Sequence, residues 1–348
     1  MDEKRLKQIV DHFNQVRVLV IGDFFLDKYL ILDSALTEVS IETGLDAYQV
    51  VGKRLSPGAA GSVTCNLRAL EAQVCALGMI GDDGEGYELK AGLEAIGVGT
   101  DLLVRTDDRF TPTYTKPMLL ESGIERELNR LDIKNRQPCP KEVEGEIIRR
   151  LRVMSREVDG VIVADQVQEA NCGVITGGVR DELSALSEEH TDKVFIADSR
   201  TRIGYFRKLW IKPNKFEAHF ALRNEEPASV TLQEAVSLGR ELQKRTGRPL
   251  FVTLSDEGIL AVNSRETYHV PTMRQTGPID IVGAGDSTMA GIVLALCSGA
   301  RPEEAAVLGN LVASITVQQI GVTGSASRAQ VLQRFGEFGD QFEPRRIA

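Results

Sequence analysis

The sequence is poor in the groups that most catalytic scaffolds advertise. It has one tryptophan, four histidines and only 5% aromatic residues. His12, His190, His219 and His269 lie far apart and form neither an H-E-x-x-H pair nor a Ser-His-Asp order, which argues against metal-hydrolase and serine-hydrolase chemistry. The five cysteines (Cys65, Cys75, Cys139, Cys172, Cys297) are odd in number and never spaced C-x-x-C. That pattern speaks for reduced thiols rather than a disulfide framework or a structural zinc site. The longest apolar stretch, 289–296, is far too short to span a bilayer. Basic charge is also scarce: 41 Lys+Arg against 50 Asp+Glu gives −9, which disfavours a nucleic-acid or anionic-membrane partner. Any polyanionic ligand must therefore be held locally, by aimed backbone amides or by a metal. The opening MDEKRLKQIV is charged and helix-like with no signal-peptide core, so the expected location is cytoplasmic.

Two phosphate-binding motifs are missing as well. There is no G-x-x-x-x-G-K-[ST], and no G-x-G-x-x-G follows the first strand-like run, where Gly22 stands alone before Asp23.

What is present is an ordinary globular composition, 42% hydrophobic and 26% charged over 348 residues. Strand-like runs at 17–23, 74–80, 158–164, 193–197 and 250–255 alternate with helix-like segments. The latter fall at 3–14, 59–71, 84–96, 141–156, 173–187, 230–246, 286–298, 302–319 and 327–338. This rhythm predicts an α/β fold, three layers with a mainly parallel central sheet covered on both faces. Residues 28–56 and about 106–132 break it by alternating apolar with polar positions, which predicts a small β lid; two long surface loops are the alternative reading. No linker composition appears, so the expectation is one domain over 1–348 with an inserted lid.

The strongest local signal is the stretch 280–296, DIVGAGDSTMAGIVLAL. Gly283, Ala284 and Gly285 precede an apolar helix that opens at Asp286. Glycines allow a tight turn and close approach of a ligand, and the free amides of a helix's first turn favour an anion. A carboxylate there would repel a phosphate that is merely bound. It makes sense as the base that takes a proton from a hydroxyl attacking that phosphate. An N-cap Asp after a glycine turn is the structural alternative.

GAGD opening a helix near the C-terminus, preceded by Asp280, resembles the signature of the PfkB (ribokinase-like) carbohydrate kinases. The likeness continues in order through GDFFLD (22–27), PGAAGSVTCN (57–66), GMIGDDGEG (78–86), KPNKFE (212–217) and TLSDEG (253–258). In detail it is most similar to the heptose-7-phosphate kinase half of ADP-heptose synthases, through GDFFLDKYL, KPNKFE and GNLVASITVQQIG. The resemblance implies a ribokinase-like fold and ATP-dependent, Mg²⁺-requiring transfer to a hydroxyl of a sugar or sugar phosphate. It implies Asp286 as base with the amides of 283–286 as anion hole, and Asp23, Asp27, Gly58, Ala59 and Ser62 on the acceptor side. Asn214, Glu217, Thr253, Ser255, Gly258 and Asn310 fall on the nucleotide side, with Glu217 towards Mg²⁺ and Asp280 towards a monovalent cation such as K⁺. It also implies a homodimer through the lid, for which Ile31, Leu32, Leu36 and Val39 are the candidate patch.

Three departures touch the sugar side. Gly58-Ala59 stands for Gly-Gly, Ser62 for Asn, and 165–169 reads DQVQE where the heptose kinases have Asp-Tyr-Gly-Lys-Gly. The lost Lys could face a substrate phosphate, so the acceptor expected here can differ from heptose 7-phosphate. No adenylyltransferase H-x-G-H motif occurs, so only kinase chemistry is expected of this sequence. A catalytically idle nucleotide or sugar binder, and a nucleoside kinase with Phe24 or Phe25 stacking on a purine, are the rival readings.

Overall fold

In the computed structural model, which describes all residues except 122, 276 and 322, the strand Arg17–Gly22 (β1) shows why the sheet is buried on both faces. Val18 and Val20 point into one apolar cluster, and Leu19 and Ile21 into the other. A β-branched run with both side-chain rows covered is the mark of a parallel strand between helical layers.

Around it the chain runs α1 (Glu3–His12), β1, then the long strands β2 (Phe24–Val39) and β3 (Asp46–Ala59). Next come α2 (Ala60–Ala69), β4 (Gln73–Leu77), β5 (Met79–Gly81), α3 (Gly84–Ala95) and β6 (Val104–Thr106). β7 (Thr113–Glu121), β8 (Ile124–Glu127) and β9 (Leu131–Ile133) precede α4 (Lys141–Met154), β10 (Gly160–Asp165) and α5 (Gly177–Glu189). β11 (Val194–Ser199), β12 (Trp210–Ile211), α6 (Lys215–Arg223) and α7 (Leu232–Thr246) follow. The last part holds β13 (Leu250–Thr253), β14 (Ile259–Val262), β15 (Thr267–Val270), α8 (Ala284–Cys297), α9 (Pro302–Thr316), α10 (Arg328–Phe338) and β16 (Arg345–Arg346).

The main sheet is ordered β16-β15-β14-β13-β12-β11-β10-β1-β4. β13 through β4 are parallel, and β14, β15 and β16 add an antiparallel edge. A second sheet, β3-β2-β7-β8 with β9 beside β7, is the lid. The alternating segments therefore pair as strands rather than running as loops. The first is longer than the pattern indicates, since β2 starts at Phe24 and β3 runs on to Ala59, whereas in the second the strands begin only at Thr113.

Other boundaries moved for local reasons. The run expected at 74–80 is cut at Gly78 into β4 and β5, which belong to different sheets. A Cβ at 78 would lie 2.8 Å from the Gly22 carbonyl oxygen, so the chain can turn there only as glycine. The helix expected from 173 begins at Gly177, because the Val174 N–H is bonded to Asp23 and Thr176 caps the helix by accepting from the Val179 N–H. The short strands β12, β14, β15 and β16 have too few residues to show a period, and sequence reading passed over them.

The candidate patch on the lid is split: Leu36 and Val39 are exposed, whereas Leu32 is buried. Ala59, the departure from Gly-Gly, sits at φ 54° and ψ −116° as the N-cap of α2. L side chains rarely adopt that backbone, and such a residue costs of order 1–3 kcal/mol. Ala59→Gly is thus expected to raise unfolding stability by about 1 kcal/mol in chemical denaturation, once glycine's greater freedom in the unfolded chain is offset. A loss of stability in that variant would show that the position carries no strain.

Candidate active site

Asp198 at the C-terminal end of β11 and Lys212 just beyond β12 lie beside the N-terminus of α8, at the crevice where open α/β sheets take their ligands. Gly283 caps α8 in the left-handed region (φ 78°), where a side chain would be strained. Its neighbour Ala284 donates its N–H to the Ile281 carbonyl, 3.1 Å away, and so is not part of an anion hole. Among the described residues the N–H groups of Gly283, Gly285 and Asp286 have no such partner, which narrows the expected four amides to three.

Asp286 stands half-buried in the first turn of α8. Burial and the nearby Asp198 carboxylate push its pKa up to about 7, against the pull of Lys212 and Arg200. Lys212 is the residue that sequence reading missed, although it opens the KPNKFE motif. Its side chain is buried, its Nζ lies 2.9 Å from Asp198 Oδ2, and a Cβ on Gly285 would be 3.9 Å from that ammonium. Burial works against the charge, but Asp198, Glu217 and Asp286 outweigh it and hold the Lys212 pKa above its ordinary value. One cation thus serves three carboxylates.

Asn214 and Glu217 form a capping box at the start of α6. Asn214 Oδ1 accepts the Phe216 and Glu217 N–H groups, and Glu217 Oε2 accepts the Asn214 N–H at 2.7 Å. Burial and Asp198 raise the Glu217 pKa to about 7. Thr253 joins this turn by donating its N–H to the Pro213 carbonyl at 3.0 Å. Ser255 is exposed at φ 60°, and Gly258 is required because a Cβ there would lie 2.1 Å from the Val270 carbonyl oxygen.

Three of the expected site residues act as structural ties. Asn310 is buried and donates to the Val270 and Pro271 carbonyls at 2.9 and 3.1 Å, so its amide clamps the exit of β15 rather than reaching for a nucleotide. Asp280 accepts the Val282 and Gly321 N–H groups, one on each oxygen, and ties together the two loops beside α8. Asp23 is buried and accepts three N–H groups, from Gln166, Val167 and Val174 at 2.7–2.9 Å. Burial and Asp165 raise its pKa to about 6. It holds the loop after β10 onto β1, with both of its oxygens already accepting N–H groups.

Asp27, on β2, is the carboxylate expected on the acceptor side, and it remains partly accessible. Burial raises its pKa, and Lys116 of β7 opposes this from 3.6 Å. Lys116 lies 4.7 Å above the Tyr29 ring and donates to its hydroxyl at 3.1 Å. Gly58 faces Asp27 across the β2–β3 ladder, two residues from the pair Asp27–Ser56, and a Cβ on it would be 2.4 Å from Asp27 Oδ2. Ser62 is buried in the first turn of α2, which packs on α8.

Residues 204–329 match the model of the pfkB family carbohydrate kinases. It is 27% identical over 338 residues to the bifunctional protein HldE of Trichlorobacter lovleyi and 28% identical over 338 residues to that of Pelobacter propionicus. Both alignments cover 95% of this chain, and it spans 65% and 66% of the length of those relatives. The fold matches phosphofructokinase-2 from Escherichia coli in complex with potassium (TM-score 0.71, 18% identity, 93% and 99% of the two chains). It also matches Arabidopsis thaliana ribokinase complexed with ribose and ATP (TM-score 0.66, 16% identity, 92% and 98%). The family likeness is to carbohydrate kinases, over residues 204–329.

Gly58→Ala places a methyl against Asp27 Oδ2 and displaces the carboxylate. The expected outcome is an acceptor KM raised about 10- to 100-fold with the ATP KM unchanged, read by ADP release. An unchanged acceptor KM would remove Asp27 from the acceptor site.

Proposed function

We propose that the crevice between the lid and α8 phosphorylates a sugar hydroxyl, with Asp286 as general base. The observation that carries this reading is a half-buried carboxylate in the first helical turn, flanked by unpartnered amides and one buried lysine. Asp286 accepts the proton of the attacking hydroxyl, and its pKa near 7 suits it to do so at neutral pH. The N–H groups of Gly283, Gly285 and Asp286, with the Lys212 ammonium beside them, stabilise the charge that spreads over the transferring phosphoryl oxygens. Asp27 accepts hydrogen bonds from the acceptor's other hydroxyls, with Lys116 opposing the upward push that burial gives its pKa.

The donor set also fits a magnesium ion carried in with the nucleotide. Glu217 keeps Oε1 and Asp198 keeps Oδ1 free of any hydrogen bond among the described residues, and hard carboxylate oxygens suit that cation. When bound it supplies neutralisation of the nucleotide phosphates. The lone pairs left on Asp280 are where a monovalent cation would sit, beside the loop it ties. A homodimer through the lid is supported by side chains left in solvent along it: Leu36, Val39, Ile41, Leu45 and Tyr48 are all exposed, Ile41 fully. With no helix long and apolar enough to cross a membrane among the described residues, a cytoplasmic location fits this reading.

Asp286→Asn is expected to lower kcat by about 10²–10⁴-fold while ATP binding, followed by thermal shift, is retained. Full activity in that variant ends the assignment. A carboxylate base works when deprotonated, and its raised pKa keeps it protonated below about 7. The pH profile of kcat/KM should therefore fall about tenfold per unit on the acid side of about 7, and a flat profile down to pH 5 would contradict it.

A further inference from the structure

Asp27 and Lys28 are neighbours on β2, and the alternation of a strand sends their side chains to opposite sides. The Asp27 carboxylate lies 3.6 Å from Lys116 of β7 and is near enough to Asp286 to push up the pKa of that acid. The Lys28 ammonium is carried instead onto α3, where it donates to Glu85 Oε1 at 3.1 Å and to Glu88 Oε2 at 2.8 Å. Only 16% of the Lys28 side chain is exposed. Burial works against its charge, but Glu88 and Glu85 outweigh this and hold its pKa above the ordinary value. Among the described residues the two glutamates have no other ion pair. They stand three apart on one face of α3, so without Lys28 they would repel each other.

α3 is a fixed point for the second sheet. Leu89 and Leu93 sit in the main core, and Asp83 caps the helix by accepting the Gly86 N–H. The same carboxylate accepts the N–H and the hydroxyl of Thr111, at 2.8 and 2.7 Å, two residues before β7 begins. Pro57 of β3 packs over the helix as well, where a Cβ on Gly92 would lie 3.5 Å from its ring. The two strands that supply charge around Asp27 thus take their position from one helix, β7 through Thr111 and β2 through Lys28. Pairing with β3 and β7 fixes the register of β2 within its sheet, not where that sheet stands on the body. Leu26, which is buried in the main core, holds the strand on one side of Asp27. Lys28 holds it on the other.

We propose that Lys28 is a positioning residue for the acceptor: by tying β2 to Glu85 and Glu88 of α3, it fixes where the Asp27 carboxylate stands relative to Asp286. This rests on the kinase reading, with Asp27 on the acceptor side. Lys28 acts through Asp27 and not on the sugar itself. A carboxylate that selects particular hydroxyls has to be held to within about 0.5 Å, which a strand free to shift on the body cannot do.

The test measures ADP release with ATP and a panel of pentoses, hexoses and heptoses, with and without a terminal phosphate. For the best acceptor, Lys28→Met is expected to raise the acceptor KM about tenfold, with the ATP KM and the pH profile of kcat unchanged, and Lys28→Arg to restore most of that loss. Glu85→Gln combined with Glu88→Gln should reproduce the defect, and adding Lys28→Met to that pair should move the KM by less than about twofold. Should Lys28→Met fail to fold, which thermal unfolding reads, the glutamine pair carries the same expectation. A last cycle uses Asp27→Asn, in whose background Lys28→Met should no longer move the acceptor KM. A lowered Tm with an unchanged acceptor KM, or a KM rise of the same size in the Asp27→Asn background, overturns the proposal and leaves the kinase reading standing. ATP-dependent transfer by the unmodified chain to none of the acceptors overturns the kinase reading and this proposal with it.

Discussion

The charge on which the site depends is the buried Lys212 ammonium. It is fixed by Asp198 at 2.9 Å and lies close to Gly285. Lysine is rarely buried without a partner, and here the partners are the carboxylates that the chemistry uses. Through it, β11 (Asp198), the turn after β12 (Lys212), α6 (Glu217) and α8 (Asp286) become one electrostatic unit. Remove the lysine and three acids would share a low-dielectric crevice with only the exposed Arg200 nearby, which would push their pKa values up further.

That arrangement explains why Asp286 titrates near 7 rather than near the usual carboxylate value. Lys212 pulls it down, while burial and Asp198 push it up. The balance leaves a base poised between holding a proton and giving it away. On the far side of the crevice the lid repeats the device on a smaller scale, with Lys116 set against the half-buried Asp27 and steadied by Tyr29. Both carboxylates are thus kept usable by one aimed lysine each. Both lysines lie outside the motif that announced the carboxylate they serve.

Much of the fold was readable because it repeats. The strands of the main sheet are apolar runs between amphipathic helices, and each such unit has a period that survives in one dimension. The glycine turn before Asp286 was equally plain, since few other reasons put two glycines and an acid before an apolar helix. Other residues deceived because their types are right and their partners invisible. Asp23 looks like a sugar ligand until three backbone N–H groups from 143 to 151 positions away close on it. Asn310 looks like a nucleotide contact until its amide is found on the carbonyls of β15 and Pro271. Polar side chains near a motif often serve the backbone first, because buried N–H and C=O groups must be paired.

By itself the sequence determined the layered α/β body, the strands of the second sheet and the glycine-flanked helix opening at Asp286, because each is written in local period, turn chemistry or a contiguous motif. Only the tertiary structure decided which charges share a space. Lys212 reaches Gly285 and Asp198, Lys116 reaches Asp27, and Lys28 reaches Glu85 and Glu88, across sequence gaps of 14 to 89 residues that no pattern spans. Electrostatic energy depends on separation and burial in three dimensions, and neither is encoded at any fixed spacing along a chain.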